Sequence, residues 1–156
     1  MAKIKHIYAR EILNGEGNPA VEVAAELTDG TIGVASCPSG VTIGSYGAVS
    51  LVDKDPMRFH GLGVQNAIKN ITDLIAPKLL NIEASKQRDI DKIMIEMDGT
   101  QNKARLGANA MIGVSMAVAK AAAMSSVLPL FLYLREFLND KNSPVQMPIP
   151  LFTVMS

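Results

Sequence analysis

A helix built almost wholly of small residues, at about 107 to 125, constrains the fold of this chain most. Alanine, glycine and serine side chains leave a backbone that other elements can approach closely, so such a helix requires a tightly packed neighbour. A membrane span needs about 20 mostly apolar residues without interruption. Lys120 and Pro129 interrupt the apolar region that contains this helix. We therefore predict a buried core helix rather than a membrane span.

Length, charge and cysteine content narrow the class of protein. The 156 residues suggest one domain with a real core. Lysines plus arginines number 15, as do aspartates plus glutamates, and this balance argues against a nucleic-acid partner. The lone cysteine, Cys37, cannot form an internal disulfide, which favours a reducing compartment. The first residues lack the apolar run and cleavage site of a secretory signal. We expect a cytoplasmic protein with no nucleic-acid or membrane partner.

The first third of the chain has the pattern of a sheet. Apolar residues alternate with Glu22 and Glu26 along residues 20–27, as in a half-buried strand. Asp29 and Gly30 favour a tight two-residue hairpin turn, and residues 32–37 follow as the returning strand. With residues 4–9 ahead of them, these segments predict a three-stranded antiparallel meander.

Helical patterns follow a glycine- and proline-rich loop region at 38–63. The predicted helices run from Val64 to near Pro77, around residues 90–97, over about 107–125, and from Pro129 to near Leu138. Strands first and helices afterwards indicate an α+β domain. The simplest role for the methionines of this helical half is to fill the core; they are Met94, Met97, Met111, Met116 and Met124.

Collinear motifs across essentially the whole chain resemble the amino-terminal domain of enolases. They are Arg10-Glu11-Ile12, Gly17-Asn18-Pro19, Pro38-Ser39-Gly40, Asp98-Gly99-Thr100, Gly107-Ala108-Asn109-Ala110 and Met147-Pro148-Ile149-Pro150. The resemblance implies an enolase amino-terminal-domain fold at 1–142, with the meander followed by a helical subdomain and no TIM barrel. Residues 143–156 would be a proline-rich linker and the start of a barrel that a truncated, enolase-like chain does not include.

Enolases, the phosphopyruvate hydratases of glycolysis, are lyases that convert 2-phosphoglycerate to phosphoenolpyruvate and water in a magnesium-dependent barrel. The resemblance places the catalytic residues in the barrel, so we expect no catalytic residue, no cofactor and no activity in the isolated chain. This domain lends an enolase a mobile lid loop over the substrate. The loop here comprises Ser39, Gly40, Val41, Thr42, Ile43 and Gly44. Thr42 replaces a serine that approaches the second magnesium, and it is a weak candidate ligand that needs a barrel.

The chain departs from the enolase pattern mainly in loops. Val41, Ile43, Tyr46, Val52 and Leu62 stand where the family has other residues, whereas the helical half is well matched. Two hypotheses remain open. The chain either has no catalysis of its own and acts through association, or it is a working component that supplies the lid loop to a barrel on another chain.

Other candidate residues have structural or interface interpretations. His6, His60 and Cys37 lack the neighbours that a metal site or an activated thiolate requires. In enolases the pair at the position of Arg10 and Glu11 lies near the subunit contact. Apolar residues of the tail, Leu151 and Phe152 among them, invite pairing with another chain. We expect a homo-oligomer that buries the tail or the small-residue helix, or pairing with an enolase-family partner.

Overall fold

The predicted meander is confirmed in a computed structural model, which describes residues 2–37, 44, 46–138, 146–147 and 149–150. The sheet has the order β1-β2-β3, with antiparallel pairing throughout. Its strands are Ile4–Leu13 (β1), Pro19–Leu27 (β2) and Ile32–Cys37 (β3). The first strand is longer than predicted because it pairs with β2 as far as Leu13, which lies opposite Pro19.

The connection between β2 and β3 differs from the predicted two-residue turn. The Leu27 amide donates to the Thr31 carbonyl at 2.9 Å, and the Gly30 amide donates to the Leu27 carbonyl at 3.0 Å. Three residues therefore join the strands, with Gly30 at a φ of 85°. This geometry is that of a turn followed by a left-handed residue. The Asp29 carboxylate accepts a bond from the Thr31 amide at 2.9 Å, and this bond fixes the longer turn.

Five α-helices follow the sheet in the described part of the chain. They are Gln65–Asn70 (α1), Ala76–Leu79 (α2), Gln87–Asp98 (α3), Ala108–Ser125 (α4) and Leu130–Arg135 (α5). A π-helical turn at Ile71–Ile75 joins α1 to α2, and a short 3-10 helix lies at Phe59–Gly61. The first predicted helix, expected to end near Pro77, ends two residues later, at Leu79, and Pro77 is the second residue after the π-helical turn. The last helix ends at Arg135, before the predicted Leu138, and single turns continue from there.

Helix α4 packs its small side chains directly on β2 and β3. A Cβ built on Gly33 would lie 2.3 Å from the Ala117 carbonyl oxygen and 2.3 Å from the Ala121 nitrogen. A Cβ built on Gly113 would lie 2.9 Å from a methyl group of Val23. The predicted tight packing of this helix is therefore confirmed.

The burial of α4 also bears on the membrane question. Among the described residues, α4 is the one helix that is both long enough and apolar enough to cross a membrane. However, 67% of it is buried inside the protein. The side that faces away from the sheet carries larger residues. Met116 and Met124 are 39% and 59% exposed there, so the prediction that they fill the core was wrong, whereas Met94 and Met111 are buried. Any partner of α4 would meet these larger side chains, because its small ones already contact the sheet.

The outer face of the sheet carries ion pairs on β1 and β2, as the alternation predicted for β2, and exposed apolar residues on β3. Glu26 accepts a bond from Lys5 at 2.8 Å, and Glu22 accepts one from Arg10 at 2.5 Å. These contacts join neighbouring strands β1 and β2 across the solvent-facing side. Such exposed pairs contribute little to the free energy of unfolding.

Candidate functional site

The candidate lid loop follows directly from the packed end of the sheet. Cys37, the last residue of β3, is buried, and burial raises the pKa of its thiol. Of the predicted loop residues, Gly44 is described and exposed. The other five lie outside the described residues: Ser39, Gly40, Val41, Thr42 and Ile43. The described structure thus defines the two flanks of the loop.

The second flank is anchored on the beginning of α4. The Val49 amide donates to the Asn102 carbonyl at 2.8 Å, and the Val49 carbonyl accepts from the Ala108 amide at 2.8 Å. The side chain of Asn109 completes the attachment. Its Oδ1 accepts from the Leu51 amide at 3.0 Å, and its Nδ2 donates to the Leu51 carbonyl at 3.0 Å. Asn109 is 1% exposed, so this amide is a buried clamp on the segment behind the loop.

Gly107 permits this close approach. Its φ is 94°, a conformation that side-chain-bearing residues rarely adopt. A Cβ there would lie 2.7 Å from the Leu51 Cβ and 2.8 Å from the Asn109 Oδ1. The glycine and asparagine of the Gly107-Ala108-Asn109-Ala110 motif therefore work together to hold Leu51.

The Asp98-Gly99-Thr100 turn organises the chain just before α4. Asp98 is 1% exposed, and its carboxylate accepts from the Leu106 amide at 2.8 Å and the Thr100 amide at 3.0 Å. The Thr100 hydroxyl donates to the same carboxylate. Burial by itself would raise the pKa of Asp98, but these hydrogen bonds outweigh it and hold the pKa below the ordinary range. The motif is thus a buried structural clamp.

A third clamp holds the segment between the loop and α1. The Asp53 carboxylate accepts from the backbone amides of Gln65 at 2.9 Å and Asn66 at 2.8 Å, which are orphan donors at the beginning of α1. The Asp53 amide donates to the Gly63 carbonyl at 2.8 Å. The Arg58 Nη1 lies 3.7 Å from the Asp53 Oδ2.

Glu11 connects this segment to the sheet. Its carboxylate accepts two bonds from Arg58, one of them at 3.0 Å, and one from the Val64 amide at 2.9 Å. The bonds from Arg58, opposed by burial, hold the pKa of Glu11 below its ordinary range. Arg10, its predicted interface companion, pairs with Glu22 on the outer face. The role of Arg10 and Glu11 in an interface stays a prediction, as does that of Leu151 and Phe152, which lie outside the described residues.

The described residues contain no group of three or more histidine, cysteine, aspartate or glutamate side chains that could hold a metal ion. Thr42, the one ligand that the resemblance suggested, lies outside them. Magnesium requires several oxygen ligands, and the role of Thr42 in binding it stays a prediction. His6 stacks against Tyr8 with ring centroids 5.7 Å apart.

Sequence patterns predicted neither the contact of Asn109 with Leu51 nor the pairing of Arg58 with Glu11. A signal was available for Asn109, because a lone amide in an otherwise small, apolar helix needs a hydrogen-bonding partner. No comparable signal marked Arg58, since its partner Glu11 is 47 residues away along the chain.

The fold and its clamps define a class: an α+β domain that presents one loop between the end of a sheet and the beginning of a central helix. The model of the family described as "Enolase, N-terminal domain" matches residues 4–134. The chain therefore belongs to the enolase amino-terminal domain family.

Proposed function

We propose that this domain acts through association with an enolase barrel, over which it places the loop at 39–44 as a lid. The reaction served would be the dehydration of 2-phosphoglycerate to phosphoenolpyruvate, with the catalytic residues and magnesium supplied by the barrel. The observation that carries the proposal is the framing of the loop. One flank ends in the buried Cys37, and the other is held by the buried amide of Asn109.

Such framing suits a lid because a closing loop needs rigid ends. In the anchored segment, Val49 and Leu51 are bonded to the buried residues Ala108 and Asn109 at the beginning of α4, and Val49 is also bonded to the exposed Asn102 before it. Movement of the loop would therefore not require movement of the core. This separation supports a lid function.

A nearby apolar groove supports association. It has a volume of about 320 Å³ and runs between α3 and α4 from Ala48, next to the loop. Ile95 and Ile112 line it and are 48% and 46% exposed. Exposed apolar residues gathered beside a functional loop are typical of a docking surface. A barrel seated there would bring its active site next to the loop.

The direct test measures phosphoenolpyruvate formation from 2-phosphoglycerate in excess magnesium. The samples are the chain alone, an enolase barrel without its own amino-terminal domain, and the two mixed. We expect no turnover from the chain alone and a rate for the mixture roughly tenfold above that of the barrel, through better positioning. Turnover that follows the isolated chain through purification would overturn the proposal, as would a mixture no faster than the barrel.

Two substitutions separate the lid from the docking surface. Thr42→Ala removes the hydroxyl and should lower the rate of the mixture without weakening binding, whereas Thr42→Ser should preserve both. Ile112→Glu places a charge in the groove and should weaken binding of the barrel. Thr72→Ser, an exposed position on the π-helical turn away from this groove, is a matched control.

A second candidate is association without a lid function, through a homo-oligomer or an enolase-family partner. The departures from the family at Val41, Ile43 and Tyr46 favour it. It predicts that the chain binds a partner while Thr42→Ala changes no rate. Binding without rate enhancement in the mixing experiment would select this candidate.

A further inference from the structure

Strand β3 lies at the edge of the sheet, and within the described residues no strand pairs with its outer side. The Val34 backbone carbonyl points to this free side, because it accepts a bond from the Lys120 ammonium at 2.9 Å. Residues two apart in a strand direct their backbone groups the same way. Ile32, Val34 and Ser36 therefore present their amides and carbonyls to the edge.

The composition of β3 makes this edge a template for pairing. The strand Ile32–Cys37 contains no charged residue and no proline. Ile32 and Val34 are 50% and 44% exposed. Uncharged, apolar edge strands readily pair with another chain unless something blocks them.

The opposite edge of the sheet is covered at its start by the chain itself. The Ile4 amide donates to the Ile82 carbonyl at 2.9 Å, and the Ile4 carbonyl accepts from the Asn81 amide at 2.8 Å. Lys3 and Glu83 form a further bridge there. No comparable backbone cover is present along β3 in the described residues, where Lys120 contributes a side chain instead.

Lys120 is the single charged residue in the sequence of α4. It is half-buried and lies on the same helix as Ala117 and Ala121, which contact Gly33. A lysine in such a packed helix face needs a reason, because ordering its long side chain costs conformational entropy. Its bond to the Val34 carbonyl gives that reason.

We propose that Lys120 guards the edge of β3 against pairing with the same edge of a second copy of this chain. In an antiparallel pair centred on Val34, the Val34 amide of each copy would need the Val34 carbonyl of the other. Lys120 already occupies that carbonyl. The pairing would also bring two ammonium groups together, and like charges on adjacent strands oppose association.

Replacing the lysine tests the proposal in the full chain. Lys120→Met keeps much of the side-chain length but removes the charge and the donor. We expect its sedimenting mass at tens of micromolar to be roughly twice that of the parent, since two-fold dimers are the commonest assembly. Lys120→Arg retains the charge and should sediment like the parent. Lys92→Met, at an exposed lysine of α3, should also leave the mass unchanged.

A rescue variant shows whether the β3 edge is responsible for assembly of the Lys120→Met chain. Val34→Pro removes an amide that points away from β2, so the bonds between β2 and β3 remain. Combined with Lys120→Met, it should restore the parent mass. A folded Lys120→Met chain that sediments like the parent would overturn the proposal, as would an assembly that the proline does not disrupt.

Hydrogen exchange supplies a test that depends on no variant. In the parent, the Val34 and Ser36 amides should exchange rapidly because they face the open edge, whereas the amides of Gly33 and Ala35 should be protected. In the Lys120→Met assembly, the Val34 amide should become protected as well. Strong protection of the Val34 amide in the parent would show that the edge is already paired and would contradict the proposal.

Discussion

Two regions of the molecule are stabilised by different kinds of interaction. One is the interface between α4 and the sheet, and the other is the segment from Val49 to Gly63. The first is a contact of shapes, in which Gly33 lies against the backbone of Ala117 and Ala121 with no room for a methyl group. The second is held by polar clamps, chiefly the buried Asn109 amide and the partly buried Asp53 carboxylate. A contact of shapes is sensitive to added volume, and a polar clamp is sensitive to loss of a donor or acceptor.

This difference suits the two regions to different tasks. A close-packed interface gives the domain one rigid arrangement. Clamps made of a few hydrogen bonds fix individual points of a segment while the chain between them adopts loop geometry. The segment next to the candidate lid is fixed in this second way.

Gly33→Ala should have the largest effect. Its new Cβ would meet the backbone of α4, which cannot rotate away as a side chain can, so the helix must shift. We expect a loss of about 3 kcal/mol in the free energy of unfolding, measured by chemical denaturation. Gly15→Ala, where nothing lies within 4 Å, is the control and should change it little. Equal stability of the two variants would refute the close contact.

Ala117→Leu or Ala121→Leu should overpack the same interface from the helix side. We expect each to cost about 1 to 3 kcal/mol, because leucine enters a space that excludes even a methyl group on the facing strand. Met116→Leu, on the exposed side of α4, keeps similar volume and serves as the control. Thermal melting of either alanine variant at the parent temperature would contradict the tight packing.

Asn109→Ala should affect the clamped segment more than the core. It leaves the amide and carbonyl of Leu51 without their side-chain partners, at a cost of about 1 to 2 kcal/mol. Hydrogen exchange should show faster exchange of the Leu51 amide while the amides of α4 beyond its first turn stay protected. Asn66→Ala, an exposed asparagine, should change neither quantity. Uniform loss of protection would mean that the clamp belongs to the core.

Acidification should destabilise the protein through Glu11 and Asp98. Both have a pKa below the ordinary range in the folded state, so the unfolded state binds more protons as the pH falls. Their contribution to the free energy of unfolding is complete above the ordinary carboxylate pKa. It is lost as the pH falls through the lowered pKa values of the folded state.

The smallest effect is expected from Glu11→Gln. It should cost about 1 kcal/mol at neutral pH, since Arg58 is partly exposed and solvent screens the pair. The stability of this variant, measured by denaturation between neutral pH and pH 3, should depend less steeply on pH than that of the parent. An unchanged pH dependence of stability would show that Glu11 does not contribute to the loss of stability in acid.

Local patterns in the sequence predicted the elements, and they failed where contacts decide the details. The alternation around Glu22 and Glu26 correctly gave β2 and its polar face. The Asp29-Gly30 pair suggested a two-residue turn, but bonding of Thr31 to Leu27 lengthened it. Pro77 suggested a nearby helix end, and the helix continues only to Leu79.

The order of strands and helices, the family and the need for a close neighbour on α4 could all be predicted from the sequence. Periodicity and residue size act within one element, so they can be read along the chain. The partners could not be predicted in this way: Gly33 is that neighbour, Asn109 holds Leu51 and Lys120 reaches Val34. These contacts join residues 58 to 88 positions apart, and only the folded packing of the sheet against α4 brings them together.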